Sequence, residues 1–462
     1  MVDFLRIATR STKKGVVEVY PKFIVGKSED LMIRGGDFYA IWLEDRGLWS
    51  TDEQDVIDLV DKELTNFVKE NKNKYDDILL VRYMWDSESG IIDLWHKYCQ
   101  KQMRDNYQPL DNELVFSNQE GHKENYASKR LNYPLEAGDI SAWDELVSTL
   151  YSPEERHKIE WSIGAVVNGA SKTIEKFLVF YGAPGTGKST ILKVIEKLFK
   201  GYYTVFEAKQ LGSASAEFAL EAFKSNPLVA IQHDGDLSHI EDNTRLNSLV
   251  SHETMQVNEK HKSLYKMKFR TFLFMGTNKP VKITDSKAGT IRRLIDVRPT
   301  GEKIPREKYN QLVAEVKNEL GAIAMHCKSV FEEDPMYYDE YIPTLMMGES
   351  NDFYNFVLDS YTVFKKEDGV TLKQAWEMYK VYCEDAKVPY PLSMRVFKSE
   401  LMSYFKHFKE RDFIGDDWVR SYYSGFKTKI FMKEDLEETN PLVKLSKKEK
   451  AKYIEFLVLN PE

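Results

Sequence analysis

The sequence predicts an α/β protein. It has a phosphate-loop core of strands alternating with helices, a mainly helical region before it, and a smaller helix–helix–strand–strand module after it. Three stretches carry this reading. In FLVFYGAPGTGKSTILKVIEKLF, residues 177–199, a buried-type strand runs into a glycine-rich loop and then an amphipathic helix. Two further apolar strands with polar tips follow, PLVAIQHDGD at 227–236 and FRTFLFMGTNKP at 269–280. Residues 370–430 read as TLKQAWEMYKVYCEDA, a turn, SMRVFKSELMSYFKHF, and the strand-like runs DDWVRSYYS and FKTKIFM joined at Gly425.

From the N-terminus, FIVGKSEDLMI and DFYAIWLEDRGLWS are strand-like, and DEQDVIDLVDKELTNFVKE and IIDLWHKYCQKQM have helical period. The cluster Phe38, Tyr39, Trp42 and Trp49 reads as core rather than a base-stacking platform. Residues 117–139, with turn formers and few apolar positions, read as a linker. The expected divisions are a collar or assembly domain at 1–135, the core at 136–345, the smaller module at 350–435 and a charged tail at 436–462. No paired acids with a nearby histidine mark a polymerase-type site in the first of these.

Composition bounds the function. The chain of 462 residues is 42% hydrophobic and 30% charged, with net charge −8. No apolar run approaches the roughly 20 residues that cross a bilayer, and the N-terminus lacks a signal-peptide core, so no membrane partner and a cytoplasmic location are expected. Cys99, Cys327 and Cys383 lie far apart, without metal-ligand spacing. Nucleic acid is not excluded by the acidic total, because phosphate contact depends on local charge.

The segment Gly182, Ala183, Pro184, Gly185, Thr186, Gly187, Lys188, Ser189, Thr190 matches G-x-x-x-x-G-K-[ST] in the strand–loop–helix setting its chemistry needs. Its backbone N–H groups can close on phosphate oxygens at a helix N-terminus. Lys188 can reach the β- and γ-phosphates, and Ser189 can ligate Mg²⁺. Asp234, the first acid after the 227–236 strand, is placed to hold Mg²⁺ and polarise water, with Asp236 as the other candidate. Asn278 ends the next strand, where an amide can orient the lytic water. Arg292 and Arg293 precede another apolar strand, and arginine from a neighbouring subunit can stabilise a transferred phosphoryl group.

These parts fall in order within a little over a hundred residues. GAPGTGKST, LVAIQHDGD, NEKHKSLYKMKF, FLFMGTNKP and IRRLIDV resemble the superfamily 3 helicases, the compact AAA+ class of small viruses, phages and plasmids. They look most like the helicase part of poxvirus-type and satellite-phage-type primase-helicases, over about residues 140–345. The resemblance implies an AAA+ fold, ATP with Mg²⁺ as cofactors, and a hexameric ring with the nucleotide between subunits. It also implies 3′ to 5′ travel on single-stranded or forked DNA and a separate primase or polymerase as a further partner. In those helicases the position of VNEKHKSLYKMKFR, residues 257–270, carries a pore hairpin, which assigns Lys260, His261 and Lys262 to DNA. This chain departs from the pattern in one place: the families often carry glutamate where Asp234 falls.

The order of elements in 370–430 is that of a winged helix. Arg395 and Lys398 on its second helix, and Arg420, Lys427 and Lys429 in its wing, are the phosphate-contact candidates. The function expected is an ATP-dependent replicative DNA helicase of phage or plasmid type. Two alternatives stand beside it: an AAA+ initiator or loader that uses ATP as a switch at origin DNA, and a nucleotide-dependent structural or packaging ring.

Overall fold

The computed structural model describes residues 2–14, 16–33, 38–71, 79–81, 90–102, 109–212, 218–235, 243–258, 265–281, 289–388, 391–414 and 417–428. Asp236, Lys260, His261, Lys262 and Lys429 lie outside the described residues, as does the tail from 429 onward. The chain divides into two compact units. The first comprises 1–138 with 198–203 and 320–324, and the second comprises 139–197, 204–319 and 325–462.

In the first unit, β1 (Leu5–Ser11) and β2 (Val17–Phe23) pair antiparallel, and β3 (Leu31–Ile33), β4 (Tyr39–Leu43) and β5 (Leu48–Ser50) form a separate three-stranded sheet. Helix α1 (Glu53–Asn71), strand β6 (Leu79–Val81), which runs parallel to β2, and helix α2 (Ile91–Lys101) complete it. The region is therefore mixed, not mainly helical. The strands were hard to see because β1 and β2 alternate core residues with cations instead of forming continuous apolar runs. Leu5, Val19, Ile41, Val56, Val60, Leu64 and Trp95 are fully buried together, so both helices lay their apolar stripes on the sheets. Trp42 and Trp49 pack edge to face at 5.6 Å and are buried with Phe38 against them, and Tyr39 sits 5.4 Å from Trp95. That cluster is core, as expected.

The segment read as a linker packs into this unit instead. Ala127, Leu131 and Tyr133 are buried, Ser128 bonds Asp111, and Leu131 N–H donates to Val115 O at 2.8 Å. Turn-rich composition marks irregular backbone, but a few well-spaced apolar side chains suffice to anchor it.

The second unit opens with α3 (Ser141–Leu150) and α4 (Pro153–Val167). The Glu319 carboxylate accepts from the Ala142 and Trp143 N–H groups at 3.0 Å, satisfying the start of α3. Ser152 caps α4, with Pro153 at its first position. Then come β7 (Phe177–Tyr181), α5 (Lys188–Leu198), β8 (Tyr203–Val205), the single turn α6 (Ala208–Leu211) and β9 (Val229–Gly235). Next are α7 (Thr244–Val250), the antiparallel pair β10 (Thr254–Val257) and β11 (Tyr265–Lys268), then β12 (Phe272–Thr277) and β13 (Leu294–Val297). A five-stranded sheet orders them β13-β7-β12-β9-β8, with β13, β7, β12 and β9 parallel. Strand β12 is buried along its whole length, as a central parallel strand covered on both faces should be.

Helices α8 (Arg306–Glu315), α9 (Leu320–Glu333), α10 (Thr344–Ser350), α11 (Asp352–Asp359) and α12 (Tyr361–Glu367) lead to β14 (Gly369–Thr371). After it α13 (Leu372–Asp385) starts with a Thr371–Gln374 capping box, and α14 (Met394–Ser403) leads directly into β15 (Phe405–Ile414) and β16 (Asp417–Phe426). The sheet order is β14-β16-β15. Here the hairpin turns between Ile414 and Asp417, and Gly425 sits inside the second strand. Glycine at φ 72° is a bend within the strand, not the junction between strands.

Candidate phosphate-loop site

Parallel strands aim their carboxyl ends at one crevice, and in this sheet three neighbouring ends carry the polar tips. Strand β7 enters the loop 182–187, β12 ends at Thr277 beside Asn278, and β9 ends at Asp234 and Gly235. Register ties them together: Thr277 lies opposite Tyr181 on one side and Gly235 on the other.

The result is a polar chain across the crevice. Lys188 is buried at 6% exposure, and its ammonium donates to Gly182 O at 2.6 Å, Ala183 O at 2.8 Å and Asn278 Oδ1 at 2.8 Å. Asn278 Nδ2 in turn donates to Asp234 Oδ1 at 3.1 Å. Burial lowers the Lys188 pKa and the Asp234 carboxylate opposes that shift. Ser189, next on α5, is exposed toward solvent, and Thr186 Oγ donates to Ala183 O at 2.8 Å.

The loop conformation needs glycine. Gly185 and Gly187 have φ of 79° and 92°, and a Cβ on Gly187 would stand 2.7 Å from Leu150 Cδ1. Gly187→Ala thus combines a strained backbone with a clash. It is expected to cost about 1–3 kcal/mol, read as a lower thermal midpoint, and to weaken nucleotide binding at the same time.

Beyond the loop lies a cavity of about 340 Å³ lined by Gly185, Gly187, Lys188, Thr190, Leu150, Ile304 and Tyr309, among others. Its phosphate-loop side is polar, and away from the loop Leu150, Ile304 and Tyr309 stand beside the charged Glu302 and Lys303. Tyr309 OH bonds Thr190 Oγ at 3.0 Å, fixing the ring at the wall. Leu150, Ile304 and Tyr309 belong to no motif and were invisible in the sequence. Only the fold brings the end of α3 and the start of α8 to the loop.

The cradle, the ammonium and the Ser189 hydroxyl fit a nucleotide triphosphate with Mg²⁺. Among the described residues no group of three His, Cys, Asp or Glu side chains forms a metal site of its own. A magnesium ion here would accordingly be held by Ser189 and the phosphates, with Asp234 near.

Arg292 and Arg293 are not at this crevice. They precede β13, whose Leu294 pairs with Phe177 at the start of β7, so they sit at the opposite end of the sheet. Five residues of strand at about 3.3 Å each place them roughly 15 Å from the loop. The two differ sharply. Arg293 is buried and donates to Ser251 Oγ, to Gly289 O at 2.7 Å and to Glu175 at 3.3 Å. The Arg292 side chain is 70% exposed, with Glu175 at 3.6 Å.

Beside them Lys176 is buried, donating to Arg292 O at 2.6 Å and Asp339 O at 3.1 Å. Burial pushes its pKa down from 10.5 to about 8, Asp339 opposes, and the two arginines add repulsion. The unfolded chain therefore binds more protons between those values, and stability should rise as pH goes from about 8 toward 10.5. Lys176→Gln is expected to flatten that rise when thermal midpoints of both proteins are compared across the range.

The other candidates are scattered. Strands β10 and β11 pair as the flanks of the 257–270 hairpin, with Val257 opposite Tyr265. Arg395 and Lys398 are exposed on α14, and Lys398 Nζ lies 5.1 Å over the Phe408 ring. Arg420 is exposed opposite Arg411, while Lys427 donates to Ser403 O at 2.8 Å in its own module. One partner set was missed: His233 Nε2 bonds Glu196 Oε1 at 2.9 Å, joining β9 to α5 next to Asp234.

Fold and site together define an α/β protein with a phosphate-loop crevice at the carboxyl edge of a parallel sheet. Residues 180–293 match the model of a family of unknown function, DUF5906, a stretch that runs from the end of β7 through Arg293. No curated protein matches the chain. Among solved structures it is similar to the A form apo structure of the NrS-1 C-terminal region, at 13% identity and TM-score 0.44 over 86% of this chain and 97% of that one. It is similar also to the apo structure of NrS-1 C-terminal region 305–718, at 12% identity and TM-score 0.43 over 86% and 97%. No helix among the described residues is long and apolar enough to cross a membrane.

Proposed function

We propose that this protein is an ATP-dependent, ring-forming DNA helicase of the AAA+ superfamily 3 type, acting in replication. The observation that carries the reading is the hydrogen-bonded chain Lys188–Asn278–Asp234, which joins loop, strand tip and acid from three adjacent parallel strands. Lys188 neutralises β- and γ-phosphate charge, and Ser189 holds the Mg²⁺. Asp234, with Asp236 as the other candidate, polarises the attacking water, and Asn278 links that acid to the lysine. Magnesium, when bound, supplies Lewis-acid charge on the phosphate oxygens.

The cavity edged by Leu150, Ile304 and Tyr309 offers an apolar wall for the nucleoside end of the ligand. Arg292, exposed at the far end of the sheet, serves a neighbouring subunit's nucleotide in a hexameric ring. The segment 257–270, through Lys260, His261 and Lys262, tracks single-stranded DNA through backbone contact. The 350–435 module acts as a winged helix, with Arg395, Lys398, Arg420, Lys427 and Lys429 toward phosphates.

The deciding experiment is strand displacement on a forked DNA substrate with a 3′ tail. ATP-dependent displacement that disappears with a non-hydrolysable analogue supports the reading. Nucleotide turnover without any displacement, together with preference for one duplex sequence, would instead indicate an initiator or loader.

A further inference from the structure

We infer that the tip of the β15–β16 hairpin is a stacking site for unpaired nucleobases, separate from the phosphate-loop site. Trp418 is 73% exposed there and Phe413 54%. They oppose each other across the hairpin, and their rings meet edge to face with centroids 5.4 Å apart. Trp418 is the one exposed tryptophan among the described residues, the others being buried or half-buried. Large rings ordinarily end in a core or an interface, so a pair left side by side in water marks a contact surface.

The register fixes what stands beside the rings. Arg411 opposes Arg420, two positions before Phe413 and two after Trp418. Period two puts this pair on the same face of the hairpin as the rings. Both arginines are exposed, and neither guanidinium makes a hydrogen bond or ion pair among the described residues. Asp412, the acid between Arg411 and Phe413, is already held by Lys409 through both carboxylate oxygens, at 2.9 and 3.0 Å.

Rings and arginines together select the ligand. Like charges directly opposite each other on a hairpin cost stability, and an anion lying between them relieves that cost. An apolar protein partner over the rings would instead bury two unpaired guanidiniums, which is unfavourable. A nucleotide strand meets both needs, since its base takes the ring face and its phosphate the guanidinium. A duplex hides its base faces in the stack, so the bases concerned are unpaired. Across 405–426 four lysines and arginines are matched by four aspartates and glutamates, so attraction from a distance is small and stacking supplies most of the affinity. The inference rests on the reading of the 350–435 module as a nucleic-acid contact, though not on α14 meeting duplex.

The test uses the full chain without nucleotide and two labelled probes of equal length, oligo-dT and an abasic oligomer with the same phosphates. Anisotropy gives affinity across a salt series, and iodide quenching of tryptophan emission reports Trp418. Bound oligo-dT is expected to shield that emission from iodide, and the abasic oligomer to leave it open. Trp418→Ala is expected to weaken oligo-dT binding by about five- to a hundredfold, the range for loss of one stacked base. Trp418→Phe keeps a ring, is expected to stay within about threefold of the parent, and guards against misfolding. Arg411→Gln with Arg420→Gln is expected to reduce the log–log salt slope by about 1.4 while the shielding of Trp418 remains.

Saturation with oligo-dT that leaves Trp418 open to iodide would overturn the proposal, as would equal affinity for the two probes that Trp418→Ala does not change. Self-association in sedimentation, or binding to phospholipid vesicles, that Trp418→Ala abolishes while oligo-dT affinity is unchanged would assign the tip to a second copy or a lipid surface, and overturn it too. Arg395→Gln with Lys398→Gln addresses the winged-helix reading through duplex affinity. Duplex affinity lost in that variant, with Trp418 open to iodide in the parent, keeps the winged-helix reading and strikes this one. Shielding of Trp418 with duplex affinity unchanged keeps the stacking site and strikes the duplex contact of α14.

Discussion

Lys188→Ala is expected to lower ATP turnover by at least about a hundredfold, the size of effect seen when one preorganised charge-stabilising donor is removed from a reacting phosphate or acyl group. The ammonium is buried and makes three hydrogen bonds, to two loop carbonyls and to Asn278. In the proposed site alanine removes the charge that would face the β- and γ-phosphates. It also leaves Asn278 bonded only to the acid, so water activation loosens with phosphate binding. Lys188→Arg is expected to fail similarly, because a planar fork does not match three convergent acceptors around one nitrogen. Turnover measured beside thermal melts separates this from unfolding. An alanine variant that melts like the parent yet hydrolyses ATP within threefold of it would defeat the assignment.

What was legible in the sequence follows from how local the determinants are. The loop 182–189 was readable because strand, glycines and helix lie together in the chain and the backbone conformation itself selects glycine at 185 and 187. The strand tips at Asp234 and Asn278 were readable as apolar runs with polar ends, and the sheet order brings them into hydrogen-bond contact. Leu150, Ile304 and Tyr309 were not readable, because a cavity wall is assembled from elements 150 residues apart and has no composition of its own.

The N-terminal ribbon escaped for another reason. Its strands are seven residues each, with Ala, Thr and a proline among the core-facing and outer positions, so the period-two signal is short and broken. The C-terminal hairpin was placed a turn too late, although the two-residue Gly–Asp step between Ile414 and Asp417 is itself a hairpin signal. The arginine pair shows the limit most plainly. Two adjacent identical residues are indistinguishable in sequence, and only burial separates them.

That separation predicts two different phenotypes. Arg293 is held by Ser251, Gly289 and Glu175, so Arg293→Ala removes a buried guanidinium and its bonds and leaves Gly289 O without its donor. It is expected to destabilise the protein by about 2–4 kcal/mol, visible as a lower thermal midpoint before any kinetic defect is read. Arg292→Ala changes an exposed side chain whose pairing with Glu175 at 3.6 Å contributes little. Its midpoint is expected to stay within a degree or two of the parent.

Turnover in Arg292→Ala, by contrast, should fall by about 10³-fold or more if this residue supplies transition-state charge to a neighbour. Because Arg292 lies at the sheet end opposite its own loop, the two defects belong to different faces of a subunit. Mixing Arg292→Ala with Lys188→Ala should therefore restore activity. Wherever an Arg292→Ala subunit presents its intact loop to a Lys188→Ala neighbour, one complete site forms. In a random mixture of equal parts about a quarter of the interfaces have that arrangement, which sets the expected recovery near a quarter of parental turnover if sites act independently. Absence of recovery, in a mixture shown by sedimentation to co-assemble, would remove Arg292 from the site and with it the intersubunit mechanism.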